Sequence, residues 1–429
     1  MRFFDSAEPG FAAAFEALLD EARQTTAQVD SVVAAIIADI RARGDEALCA
    51  YTDRFDRIAL TPDRLRVTVE EIDAAAAEIA PNLAAALDLA ARRIEAFHRA
   101  QMPIDMQMHD DAGVTMGLRW TPLDAVGIYV PGGKAAYPSS VLMNALPARV
   151  AGVGRIAMCV PCPGGVLNPL VLAAARRAGV TEIFRVGGAQ AVAALAFGTA
   201  TIAPVDRIVG PGNAYVAEAK RQVFGRVGID GVAGPSEVVV LADDANDPRR
   251  VAVDLLAQAE HDEAAQSILI TTSQAFGQAV AAAVEQELLS LPRQAIARAS
   301  WDAHGAIILV QDWDEAAVLT DRLAPEHLQI MVANPDALFG KIHHAGAAFL
   351  GPYAPEALGD YVAGPNHVLP TGRTARFASG LSVFDFIKRT SWVKASDAAL
   401  HEIGPAAVLL AEAEGLTAHA RSLAMRLVP

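Results

Sequence analysis

Four short segments of this chain gather side chains that can bind a metal or move a proton. Asp254, Gln258 and His261 are spaced by four and then three residues, so a helix would place all three on one face. Oxygen and imidazole donors converging in this way can serve one metal ion, and a solvated polar stripe has the same spacing. In Ala324-Pro325-Glu326-His327-Leu328 a proline-fixed turn is followed by a carboxylate beside an imidazole, a pair able to act as base and proton shuttle. Gly359-Asp360-Tyr361 leads into Gly364-Pro365-Asn366-His367 and on to Pro370-Thr371. Two prolines stiffen that loop, giving up freedom an ordinary connector keeps, which points to a functional role for Asp360, Asn366 and His367. Glu414 and His419 lie on the last helical segment, where a lone histidine is ordinarily a surface or capping residue.

These segments can meet only if the chain between them folds back repeatedly. From Ala125, β-branched runs alternate with helical stretches: Val126-Gly-Ile-Tyr-Val130, Arg155-Ile-Ala-Met-Cys159, Glu182-Ile-Phe-Arg-Val186 and Arg207-Ile-Val209. A second set comprises Glu237-Val-Val-Val-Leu241, Ser267-Ile-Leu-Ile-Thr271, Ala306-Ile-Ile-Leu-Val310 and His327-Leu-Gln-Ile-Met-Val332. The pattern predicts an α/β fold with two parallel-sheet units meeting near Gly231-Val-Ala-Gly-Pro235. A short amphipathic helix (Phe11, Phe15, Leu18, Leu19) and an Ala-rich helical stretch to about residue 102 precede them. After about Asp385 the pattern is helical again, ending in an amphipathic segment over 404–427.

Three glycine-rich turns follow strands directly: Pro131-Gly132-Gly133, Gly187-Gly188-Ala189-Gln190 and Gly210-Pro211-Gly212-Asn213. Glycines there let backbone N–H groups approach a phosphate at a helix start, and they equally permit tight turns with no ligand. No G-x-G-x-x-G occurs, and Gly127-Ile-Tyr-Val-Pro-Gly-Gly-Lys134-Ala135 misses P-loop spacing, which argues against an NTPase. Cys159 and Cys162 have redox-pair spacing but end a core strand with no second pair, so a structural role is expected. With no cysteine in a reactive setting, a thiohemiacetal mechanism is disfavoured. The remaining histidines, 98, 109, 304, 343, 344 and 401, are expected to be structural.

Composition narrows the partners. The 429 residues carry 35 basic and 50 acidic side chains, a net charge of −15, which disfavours nucleic acid as a partner. Two uncharged runs, 156–175 and 186–205, have membrane-spanning length but contain prolines and paired glycines, so buried strand-turn-helix pieces are expected and no membrane span. Three cysteines fit a reducing cytoplasm, and Asp5 interrupts the start before a secretory leader can form.

Taken together and in order, Ala233-Gly-Pro-Ser-Glu237, Gln258-Ala-Glu-His261, Ala324-Pro-Glu-His-Leu328, Gly359-Asp-Tyr361 with Asn366-His-Val-Leu-Pro-Thr371, Ser379-Gly-Leu-Ser382, and Glu414-Gly-Leu with Ala418-His419 resemble the histidinol dehydrogenase family over nearly the whole chain. The resemblance implies two incomplete Rossmann-like domains plus small N- and C-terminal helical elements, in an intertwined cytoplasmic homodimer. The corresponding layout is a helical segment over 1–24, a domain of 25–128 with 237–380 bearing most metal and catalytic residues, an NAD-binding domain over 129–236, and a helical tail over 381–429. It further implies a zinc- and NAD-dependent four-electron oxidation of L-histidinol through histidinaldehyde to L-histidine.

By motif match, one Zn²⁺ per subunit would be held by Gln258, His261, Asp360 and His419, which also contact substrate. Glu326 would activate water, and His327 would bind substrate and take the alcohol proton. Ser236, His367 and Glu414 would bind substrate, and Tyr129, Gln190 and Asn213 would bind NAD. Each site is expected to be shared between subunits, with the C-terminal segment crossing over. Pro365 stands where small or hydroxyl residues are also expected; it should stiffen the loop without removing a ligand. Two other readings use the same residues: a related NAD-dependent dehydrogenase of another small amino or sulfo alcohol, and a zinc hydrolase with Glu326 as base.

Overall fold

The computed structural model describes residues 1–21, 27–132 and 137–428. Its strands are β1 (Arg2–Asp5), β2 (Met106–His109), β3 (Thr115–Pro122), β4 (Ala125–Tyr129), β5 (Arg155–Cys159), β6 (Glu182–Phe184) and β7 (Arg207–Val209). They continue as β8 (Gly228–Ile229), β9 (Glu237–Ala242), β10 (Gln266–Thr271), β11 (Ala306–Leu309), β12 (His327–Met331), β13 (Ala347–Leu350) and β14 (Ile387–Lys394).

Two parallel sheets carry the fold. One has the order β6-β5-β4-β7-β8, the other β1-β11-β10-β9-β12-β13. Their central strands are uninterrupted apolar runs because helices cover both faces: every residue of β9, β10 and β12 is buried. The chain builds outward from β4 in the five-stranded sheet and from β9 in the six-stranded sheet, where β1 is an added edge strand, and then returns to the other side of that starting strand. The winding direction therefore reverses between β4 and β7 in one sheet and between β9 and β12 in the other. This is the expected pair of Rossmann-like units.

The helices are distributed differently from the expected grouping. The Ala-rich stretch becomes helices Ala27–Arg43, Asp45–Asp56, Val69–Ala77 and Pro81–Ala100. Their buried side chains (Val33, Ile40, Leu48, Leu87, Ile94) enter the cores on the two faces of the five-stranded sheet, so this stretch packs on the 129–236 unit, while Arg93 and His98 of helix Pro81–Ala100 also reach the 362–366 loop. The N-terminal segment is also more than a helix: β1 adds to the six-stranded sheet beside β11, and Phe15 and Leu18 of helix Phe11–Leu19 enter that sheet's core.

Run 156–175 is the expected strand-turn-helix piece, with β5 leading to helix Pro169–Ala178, whereas run 186–205 holds helix Gly188–Phe197 and its flanking turns without a strand; no single described helix is long and apolar enough to cross a membrane. Past Asp385 the chain first forms β14, which pairs antiparallel with β3 in a small sheet completed by β2. Helices Asp397–Ala413 and Thr417–Ala424 then pack on each other, with His401 Nε2 3.2 Å from the Leu427 carbonyl oxygen. Leu409, Leu410, Met425 and Val428 on this hairpin are exposed.

Candidate active site

The candidate acid–base residues stand at the amino-terminal edge of the six-stranded sheet, where β9 and β12 run side by side. Helix Trp313–Leu323 ends at Ala324, whose φ of 44° lies in the left-handed region seldom used by residues with a side chain. Pro325 then turns the chain so that Glu326 and His327 arrive at the start of β12. The Glu326 carboxylate accepts the Glu237 N–H at 2.9 Å, and His327 Nδ1 lies 3.1 Å from the Glu237 carbonyl oxygen. A carbonyl can only accept, so Nδ1 carries the proton and Nε2 keeps its lone pair. That Nε2 is buried without a hydrogen-bond partner. Burial lowers the His327 pKa to about 3.

The metal candidates come from the neighbouring helices. Helix Pro248–Ala259 starts where Asp247 accepts the Arg249 N–H and Pro248 occupies the first turn, as its sequence implies. Its far end delivers Gln258, which is fully buried with neither amide atom hydrogen-bonded, and then His261 at the rim. Burial lowers the His261 pKa. Helix Glu356–Tyr361 brings Asp360, raised to about 6 by burial, within 3.7 Å of His367 Nδ1. His367 is itself lowered to about 4 by burial.

The stiff loop between Asp360 and His367 is held from outside the six-stranded unit. Asn366 donates to the Met143 carbonyl at 2.6 Å and, at 3.1 Å, to His98 Nε2, while its own oxygen accepts the Val368 N–H. Asn366 thus serves as an anchor for His367. Ser236 directly precedes β9 at the same edge, half-buried, with its carbonyl accepting the Gln266 N–H.

One acid at this edge, Glu356, escaped the sequence reading, and Asp254, read there as a possible metal donor, is tied instead to Gln329 of β12. Glu356 is buried with one carboxylate oxygen 3.6 Å from His327 Nδ1, and its pKa is raised well above the ordinary value by burial and by Asp360, Glu326 and Asp254. Asp254, raised by burial, accepts from Gln329 Nε2 at 2.6 Å, and Gln329 Oε1 in turn accepts the Glu356 N–H. The spacing of Glu356 and Asp360, four apart on one short helix, was the available signal.

The donor set suits a divalent cation. Imidazoles kept neutral, carboxyls pushed upward by burial, and a buried amide are groups whose burial a nearby positive charge would relieve. Neutral histidine nitrogen and carboxylate oxygen are ordinary zinc ligands; an amide oxygen is a less usual one. Among the described residues, no three His, Cys, Asp or Glu side chains converge as a metal-binding group. One chain therefore does not bring His419 to His261 and Asp360. Glu414 and His419 instead sit exposed on the C-terminal hairpin.

The dinucleotide candidates lie at or just after the carboxyl ends of β4, β6 and β7, the side on which a parallel sheet offers a ligand crevice where its winding reverses. Tyr129 ends β4, buried, and its hydroxyl accepts the Gly188 N–H at 3.1 Å; burial raises its pKa to about 12. Gln190, in the first turn of helix Gly188–Phe197, is buried with its amide oxygen unpartnered. Asn213 caps helix Ala214–Val223, its oxygen accepting the N–H groups of Tyr215 and Val216 at 3.1 and 3.2 Å. Those two N–H groups are thereby already satisfied, so this helix start offers a ligand less than its glycines suggested. Of the first glycine turn, Gly133 lies outside the described residues.

The histidinol dehydrogenase family model matches residues 19–427. The chain is 65% identical to histidinol dehydrogenase of Gluconobacter oxydans over 427 residues, covering 100% of this chain and 99% of that one. The chain belongs to the histidinol dehydrogenase family. Histidinol dehydrogenase of Ruegeria pomeroyi is 60% identical, covering 99% and 98% of the two chains. The crystal structure of histidinol dehydrogenase from Elizabethkingia anophelis superposes with a TM-score of 0.95 at 37% identity, covering 100% of this chain and 98% of that one. Membership makes the chain an oxidoreductase and accounts for its two Rossmann-like units.

Proposed function

We propose that this enzyme oxidises L-histidinol to L-histidine through histidinaldehyde, reducing two NAD and using one Zn²⁺ per subunit. The observation that carries this reading is the junction of β9 and β12, where a neutral histidine with an available Nε2 stands beside a carboxylate. Oxidising an alcohol requires removal of its O–H proton as hydride leaves carbon, and His327 Nε2 is built to accept that proton. Oxidising the aldehyde requires addition of water, whose proton Glu326 takes. Gln258, His261 and Asp360 would hold zinc with His419, and the ion would orient and polarise the substrate as a Lewis acid. Ser236, His367 and Glu414 would complete the substrate pocket, with Tyr129, Gln190 and Asn213 on the NAD side.

A homodimer with shared sites is part of the same proposal. The C-terminal hairpin exposes Leu409, Leu410 and Met425, and one chain leaves His419 apart from its co-ligands. Docking the hairpin on a second copy would bury the apolar face and complete both sites. A biosynthetic enzyme of this kind would act in the cytoplasm. Incubating zinc-loaded protein with NAD and either histidinol or other small amino alcohols tests the substrate. NADH formation specific to histidinol supports the proposal. Preference for another alcohol would shift it to a related dehydrogenase, and metal-dependent hydrolysis without NADH would replace it with a hydrolase.

A further inference from the structure

Lys220 and Asp230 form a buried ion pair that none of the chemistry above uses. The Lys220 side chain is 3% exposed and that of Asp230 is 9%, and their charged groups are in contact. Burying two charges is costly unless good geometry and further hydrogen bonds offset it. Here both partners direct those bonds at one residue, holding the peptide groups on either side of it: Lys220 Nζ donates to the Gly210 carbonyl oxygen at 3.0 Å, and Asp230 Oδ2 accepts the Gly210 N–H at 2.8 Å.

Gly210 is the first residue of the turn after β7, directly beside the crevice where the sheet reverses. Its φ of 112° is open to glycine, and a side chain there would run into the backbone of Tyr129. The turn continues through Pro211 and Gly212 to Asn213. Lys220 comes from the helix that Asn213 caps. Asp230 ends the five-stranded unit and passes at once into Gly231–Pro235, the crossing that reaches Ser236; its second oxygen accepts the Gly231 N–H at 2.8 Å. A buried pair with no function beyond stability needs no such placement.

We propose that Lys220 and Asp230 are positioning residues for the dinucleotide, fixing the two peptide groups that flank Gly210 so that the Gly210–Asn213 turn keeps its distance from the Tyr129 end of β4. This rests on the reading of that crevice as the NAD site. Without the pair the φ and ψ of Gly210 are no longer held from both sides, and the turn relaxes toward or away from Tyr129.

The test uses the zinc-loaded full-length enzyme. Lys220→Met and Asp230→Asn each break the pair, and Lys220→Met with Asp230→Leu removes both charges, so that no unpaired buried charge confounds folding. Lys220→Arg retains the charge and should recover part of the loss. The readouts are NAD affinity by titration calorimetry, KM for NAD, KM for histidinol and thermal unfolding. We expect NAD binding and KM for NAD to weaken by about tenfold or more in folded variants, with KM for histidinol within about twofold. A folded double variant with unchanged NAD affinity would overturn the inference, as would equal changes in both KM values. Native enzyme that fails to bind NAD would instead overturn the reading of the crevice.

Discussion

His327 and Glu237 are joined by a 3.1 Å hydrogen bond from an imidazole nitrogen to a backbone carbonyl, and this one bond puts the proton on Nδ1 and leaves the lone pair on Nε2. It ties the first residue of β12 to the first residue of β9, so the imidazole is held between two fully buried strands. Glu326, one residue earlier, is held by the Glu237 N–H. The two groups share an anchor but face different protons.

Their functions should therefore separate. Glu326→Gln can still accept the Glu237 N–H and keeps the fold, but it cannot take a proton from water. Oxidation of supplied histidinaldehyde should fall by ~10²–10⁴-fold, the range for loss of a general base. His327→Asn should impair the alcohol step at least as much. Equal and minor losses in both steps would show that the pair is structural.

Metal content should track the buried amide and its neighbours. His261→Asn should lower bound zinc and activity together, measured by metal analysis and NADH production. His343→Asn should change neither, since His343 sits exposed against Asp321. Chelation should abolish turnover while leaving the circular dichroism spectrum intact, because four apolar clusters on two sheets do not depend on one ion.

Stability should decline on the acid side through a histidine remote from the base. His98 is fully buried against Asn366, and burial lowers its pKa from 6.5 to about 4. Between those values the unfolded chain takes up a proton that the folded chain refuses, so this contribution to stability is lost as pH falls through the window. Asp360, raised to about 6, works oppositely: its contribution is present in acid and lost as pH rises. Urea unfolding of metal-free His98→Gln should show a shallower loss from pH 6.5 to 4 than the native protein. Parallel slopes would remove His98 from the account.

Shared sites predict complementation. His419→Asn and His261→Asn should each be nearly inactive alone. Co-folded mixed dimers should regain activity, because one of their two sites receives both intact ligands. Mixed dimers as inactive as their parents, with heterodimer formation verified, would place His419 outside its partner's site.

Legibility in the sequence followed burial. Strands β4, β5, β9, β10, β11 and β12 are runs of apolar residues covered on both faces, and their residues announce them. β14 mixes exposed Lys388, Arg389 and Thr390 with few buried positions and reads as nothing in particular until β3 pairs with it. β1, four residues long, is defined by its neighbour β11. At the active edge, Glu326 and His327 were visible because a proline turn and an apolar strand frame them. Glu356 sits in an unremarkable Pro355-Glu356-Ala357-Leu358 stretch, and only tertiary packing sets it beside His327. The attachment of helix Pro81–Ala100 to the five-stranded unit is likewise a matter of which sheet had room for its apolar face.

The central claim is a two-stage oxidation at one site, and electron counting tests it most directly. Zinc-loaded enzyme with limiting histidinol and excess NAD should yield two NADH per histidinol, with histidine as the product. One NADH per histidinol, with aldehyde accumulating, or none at all, would contradict it.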